Sequence, residues 1–134
     1  MERRRLRVYV AGPMSKGDVF DNITRGVRCG SMMVRDGLAP YVPHLDRYMT
    51  LGDDSALGSW NALLEWDMEW VAQAEALYRL SGDSSGAARE TEMALELGIP
   101  VFYQLDPLAT GAEDPGYRAL LRYAMERDLV GVRR

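Results

Sequence analysis

The chain is 134 residues long, about the length of one domain, and its 47% hydrophobic and 27% charged residues are the mix of a globular protein. No apolar run approaches the roughly 18 residues that span a bilayer, and no secretory pattern follows the basic start Met-Glu-Arg-Arg-Arg, so a cytoplasmic protein without membrane contacts is expected. Sixteen Lys and Arg against twenty Asp and Glu give a net charge of −4, which argues against a nucleic-acid polymer as partner. Cys29 is the single cysteine and His44 the single histidine, which excludes an internal disulfide and a Cys/His zinc site. Neither a metal nor a cofactor is expected. The basic clusters Arg3 to Arg7 and Arg133-Arg134 are both terminal and read as solubilising ends.

In chain order, residues 6–11 (LRVYVA) predict a short buried strand that ends in a tight turn at Gly12-Pro13. Ile23, Val27, Met32, Met33 and Val34 predict a helix over about 21–34. Gly26 and Gly30 weaken it by roughly 1 kcal/mol each relative to Ala. Residues 39–42 predict a second strand, closed by Pro43, and 46–58 a loop. A helix over 60–74, a strand over 75–80 and a polar turn over 81–85 come next. A helix over 86–97 follows, with Gly98 placed as its C′ glycine. A strand over 101–104 and a helix over 115–127 complete the order βαβαβαβα. That order implies an α/β fold over 1–134 as one domain. The expected architecture is a Rossmann-like (flavodoxin-like) parallel sheet of about four or five strands with helices on both faces. In such sheets ligands sit beyond the carboxyl ends of the strands, so candidate site residues are sought there.

Two carboxylates fall on faces that should be apolar. In the helix over 86–97 the stripe is Ala87, Met93, Ala94 and Leu97, and Glu90 lies inside it, whereas Glu92 and Glu96 share another face. In the helix over 60–74 the stripe is Trp60, Leu64, Val71 and Ala74, and Asp67 lies inside it, whereas Glu65 and Glu69 read as surface. A buried carboxylate costs several kcal/mol unless it is paired or used. Two of them near the functional edge suggest paired carboxylate chemistry. The bland alternative is that each acid reaches the edge of its stripe or pairs with one of the many arginines.

Other residues gather at the same edge. Ser84-Ser85-Gly86 opens the Glu90 helix and offers hydroxyls and backbone N–H groups to an anion such as phosphate, or else is a plain N-cap. Gly12-Pro13-Met14-Ser15-Lys16 follows the first strand like a nucleotide-cradling turn, without being a Walker or Rossmann fingerprint. Tyr9 could reach the site or pack in the core. His44 is either a structural cap or a base-contacting group.

These motifs resemble the nucleoside 2-deoxyribosyltransferase superfamily, which includes deoxynucleoside 5′-monophosphate N-glycosidases. The resemblance covers roughly 7–103 and rests on Tyr9-Val-Ala-Gly12, Pro43-His44, Asp67-Met-Glu-Trp70 and Ser84-Ser-Gly86-Ala-Ala-Arg-Glu90 with Ala94. The short Ala-Gly-Pro-Met turn is more similar to small uncharacterised phage and bacterial members than to the established transferases. The resemblance implies that Glu90 is the nucleophile at C1′, that Asp67 assists the leaving base and that Tyr9 positions the nucleophile. It further implies that Ser84 and Gly86 hold a 5′-phosphate. The chain departs from the pattern in three places. Lys16 or Ser15 stands where a phosphate-binding Arg is usual, and Glu92 stands where a Gly is usual. The tail over 130–134 has no counterpart of the carboxylate that transferases borrow from a neighbouring subunit.

The expected function is retaining cleavage of the N-glycosidic bond of a nucleoside 5′-monophosphate or nucleoside, through a glycosyl-enzyme intermediate on Glu90. Base exchange, a non-catalytic nucleotide-binding module and a phosphoribohydrolase on a related sheet are the alternatives. By the same resemblance a homodimer or larger homo-oligomer is expected; Trp60, Trp66 and Trp70 cannot all face one core, and some of them either form contact surface or lie as amphipathic residues at the sheet edge.

Overall fold

A computed structural model describes residues 4–52 and 60–127. Four strands, β1 (Arg7–Ala11), β2 (Ala39–Tyr41), β3 (Ala76–Arg79) and β4 (Val101–Tyr103), pair in parallel in the order β2-β1-β3-β4. Four helices alternate with them: α1 (Val19–Arg35), α2 (Trp60–Gln73), α3 (Ser85–Glu96) and α4 (Pro115–Glu126). The expected α/β sheet with helices on both faces is therefore present, with four strands. The direction of strand order reverses between β1 and β3, which opens a crevice at their carboxyl ends.

The two-residue alternation of β1 sorts the core. Val8 and Val10 point to one face, where they meet Met33 of α1 and Tyr117, Leu120 and Ala124 of α4. Tyr9 and Ala11 point to the other, where they meet Val71 of α2 and Ala87 and Ala94 of α3. Full burial of such apolar side chains is worth about 1.5–3 kcal/mol each.

Local chemistry fixes the ends. Asp18 caps α1 by accepting from the Asp21 N–H at 3.1 Å, and Ser84 caps α3 by accepting from the Ala87 N–H at 3.1 Å. Gly98, at φ +75°, follows α3 as its C′ residue. Asp114 caps α4 and is fully buried. It accepts from the Tyr78 hydroxyl and the Leu105, Asp106 and Tyr117 N–H groups at 2.8–3.0 Å.

Some expectations need correction. The loop expected over 46–58 begins instead as a 3-10 helix over Pro43–Leu51, started by the fixed φ of Pro43; residues 53–58 of that loop lie outside the described residues. Gly26 and Gly30, whose propensity cost the sequence shows, have a packing reason in α1. Both are buried, and a Cβ at Gly26 would lie 2.5 Å from the His44 ring and one at Gly30 2.6 Å from Val42. Leu97 is exposed, and Thr91 joins Ala87, Glu90 and Ala94 in the buried stripe of α3. The basic start is not simply solvated. Arg4 pairs with Glu75 at 2.8 Å, Arg5 donates to the Val34 and Leu38 carbonyls, and Arg7 donates to the Gln73 carbonyl. Among the described residues no helix is long and apolar enough to cross a membrane.

Candidate active site

A cavity of about 370 Å³ opens at the carboxyl ends of β1 and β3, within the range of small-molecule pockets. Three segments wall it. The loop after β1 gives Gly12, Met14, Ser15 and Lys16; α2 gives Leu63, Leu64 and Asp67; and the start of α3 gives Ser84, Ser85, Gly86, Ala87 and Glu90. Pro43 closes the side nearest β2.

The two carboxylates flagged by helix periodicity both line this cavity, and both are buried: Glu90 is 5% exposed and Asp67 2%. Tyr9, fully buried on β1, donates its hydroxyl proton to Glu90 Oε2 at 2.7 Å. Burial pushes the Glu90 carboxyl up to about 7 and nearby Asp46 adds to that, against the opposing pull of the Tyr9 hydrogen bond and of Arg79. Burial also raises Asp67, reinforced by hydrogen bonding to Asp46 and by the charges of Asp46 and Glu90. Both acids are thus raised, Asp67 further than Glu90, a separation of the kind an acid and a nucleophile would need.

The first turn of α3 faces the same space. The N–H groups of Ser85 and Gly86 precede any intrahelical acceptor, and the helix dipole favours an anion there. The Ser84 oxygen is engaged as the N-cap, which leaves its hydroxyl proton to donate. At the mouth, Lys16 Nζ meets Asp83 Oδ2 at 2.6 Å, both side chains exposed. Asn22 pins the loop by donating to the Met14 and Lys16 carbonyls at 3.2 and 2.7 Å.

Two expected site residues lie elsewhere. Pro13 is buried and packs against Gly82 rather than lining the cavity. His44 is fully buried under Gly26 and close to Gly12. Burial pushes its imidazole down to about 4, against the Pro13 carbonyl and with the help of the Arg25 charge. Its ring lies between α1 and the loop after β1.

Sequence reading passed over Asp46, Tyr41, Arg79 and Asn22. Asp46 is 6% exposed, accepts from the Tyr41 hydroxyl at 3.0 Å and lies within hydrogen-bonding reach of Asp67. Tyr9, Tyr41 and Trp70 form a continuous stack with ring centroids 5.6 and 5.4 Å apart. Trp66 is half-buried and Trp70 46% exposed; the side chain of Trp60 lies outside the described residues. Among the described residues no three His, Cys, Asp or Glu side chains gather to hold a metal ion.

The profile of DUF7768, a domain of unknown function, matches residues 6–104, the stretch that carries all four strands and the whole cavity wall. The chain belongs to the DUF7768 family. Among solved structures, this DUF7768 domain is similar to a 2-deoxyribosyltransferase from the psychrotolerant bacterium Bacillus psychrosaccharolyticus. The TM-score is 0.58 at 18% identity, over 72% of this chain and 70% of that one. At that identity the likeness is one of fold. No curated protein matches the DUF7768 chain by sequence.

Proposed function

We propose that this DUF7768 domain is an enzyme that cleaves the N-glycosidic bond of a nucleoside 5′-monophosphate or nucleoside with retention, releasing the free base. The observation that carries the reading is the buried Tyr9–Glu90 hydrogen bond beside buried Asp67 in one cavity at the switch point of the sheet. Cleavage passes through an oxocarbenium-like state. A Glu90 oxygen beneath C1′ stabilises that charge and captures the sugar, and Asp67 gives its proton to the departing base. Tyr9 orients the nucleophile. The α3 N-terminus with Ser84, Ser85 and Gly86 takes the 5′-phosphate, and the Gly12 to Lys16 loop covers it. Pro13 and His44 support that loop from beneath. The similar fold of a 2-deoxyribosyltransferase is consistent with nucleosides as the substrate class, and with another base as the alternative acceptor to water.

The test is chromatographic detection of free base from a panel of ribo- and deoxyribonucleosides and their 5′-monophosphates. Release by the wild type that falls at least about 1,000-fold in Glu90→Gln is expected. Ligand binding without release, equal in Glu90→Gln, would replace the reading with a nucleotide-binding module. Addition of a second free base separates hydrolysis from base exchange.

A further inference from the structure

We propose that Asp46 and Asp67 share a single proton, and that Asp46 is thereby the positioning residue that keeps this proton on Asp67 for delivery to the leaving base; the delivery half rests on the glycosidase reading above. Asp46 comes from the 3-10 helix after β2 and Asp67 from α2, and both are almost wholly buried. Their carboxyl groups are within hydrogen-bonding reach. Asp46 Oδ2 and Asp67 Oδ1 are buried oxygens that no donor among the described residues reaches. Charging both of two buried, neighbouring carboxyls is costly, and a proton held between them gives buried oxygens a partner.

The surroundings decide which acid holds it. The Tyr41 hydroxyl donates to Asp46 Oδ1 at 3.0 Å and stabilises Asp46 as the anion. The groups that face Asp67 are Asp46 from the 3-10 helix, Glu90 from α3, Tyr9 from β1 and Tyr41 from β2. Burial, the hydrogen bond and charge of Asp46 and the charge of Glu90 all favour a proton on Asp67, whose carboxyl stands far above the usual range, and the two tyrosines bring no positive charge. Asp46 borders the groove between α1, β2 and α2 and is absent from the wall of the Glu90 cavity, so it acts through Asp67.

The proton balances over the reaction. In the first step the C1′–N bond breaks with its electron pair leaving on the base. The base takes the Asp67 proton, and a Glu90 oxygen bonds C1′. In the second a water oxygen bonds C1′, the electron pair of the C1′–O bond returns to Glu90, and the water proton passes to Asp67. The pair ends as it began.

The shared proton is read directly, without turnover, from the infrared C=O band of a protonated carboxyl in a Glu90→Gln background. That band should be present at about pH 8, vanish in Asp67→Asn, and titrate at least about one pH unit lower when Asp46→Asn is added. A missing band, or a midpoint that Asp46→Asn leaves in place, overturns the pair. In the active protein, Asp46→Asn should lower the alkaline limb of kcat by the same interval. It should also reduce kcat about tenfold or more with KM little changed. A nucleotide whose base is already cationic, such as an N7-methylated purine, should escape most of the loss. An unmoved limb overturns the delivery role. A titrating band in a protein that releases no base retains the pair and removes the glycosidase. Should Asp46→Asn not fold, Tyr41→Phe is the second variant, expected to move the midpoint the same way by less.

Discussion

At the scale of single residues, the site is an arrangement of protons. The Tyr9 hydrogen bond favours the charged form of Glu90, so Tyr9→Phe should raise the acid limb of the pH–rate profile by about one unit. Activity lost at about pH 6 should then return above about pH 8, which a pH series of kcat/KM for wild type and variant checks. Loss at every pH would mean that Tyr9 orients the nucleophile without tuning it. Glu90 and Asp67 were legible because each breaks the 3.6-residue apolar pattern of its own helix. Asp46 was not, because a short 3-10 helix has no comparable stripe and its burial depends on α2, distant in sequence. His44 misled for the converse reason. Its position after β2 was correctly placed, but its direction is set by the missing side chain at Gly26.

At the scale of elements, α1 lies where it does because two glycines let it approach the β2 exit. Gly26→Ala adds helix propensity worth about 1 kcal/mol yet drives a methyl group into a fully buried ring. A net loss of about 1–3 kcal/mol in denaturant unfolding is expected, and a gain in stability would contradict the packing described. The mouth of the site joins two loops through Lys16 and Asp83, an exposed pair worth little to stability. If Lys16 meets the substrate phosphate, Asp83 competes with it. Asp83→Asn should then lower KM for monophosphates and leave nucleosides unchanged, while Lys16→Ala should raise it. Equal effects on both substrate types would remove the phosphate from this corner. Element order, type and approximate bounds followed from periodicity and punctuation. The 3-10 helix did not, since a Pro followed by mixed polar and apolar residues reads as loop.

At the scale of the molecule, buried ionisable groups set opposing demands on pH. Glu90 is raised from 4.5 to about 7, so the folded state holds a proton that the unfolded state releases. Its contribution to stability is full below about pH 4.5 and is lost as pH rises through 7, on the order of 3 kcal/mol. His44 is lowered from 6.5 to about 4, so its contribution is full above 6.5 and is lost as pH falls towards 4, by a similar amount. Asp67, raised further than Glu90, adds to the loss as pH rises, so stability should be greatest on the acid side, at about pH 4–5, and decline from there, whereas turnover should peak above 7 where Glu90 is charged. Thermal unfolding across pH checks this. Glu90→Gln should flatten the decline above pH 6 and shift Tm upward there; a variant that follows the wild-type curve would show that Glu90 carries no such strain.

The stack that runs from Tyr9 through Tyr41 to Trp70 connects the hydrogen-bond partner of Glu90 to the protein surface through ring faces. An indole in van der Waals contact with a phenol shares its excited state with that neighbour, and Tyr9 at the inner end changes its hydrogen bond whenever Glu90 gains a proton or a sugar. Trp70 is thus an optical reporter wired into the site, and its emission and near-ultraviolet dichroism should follow occupancy of Glu90 without any added label.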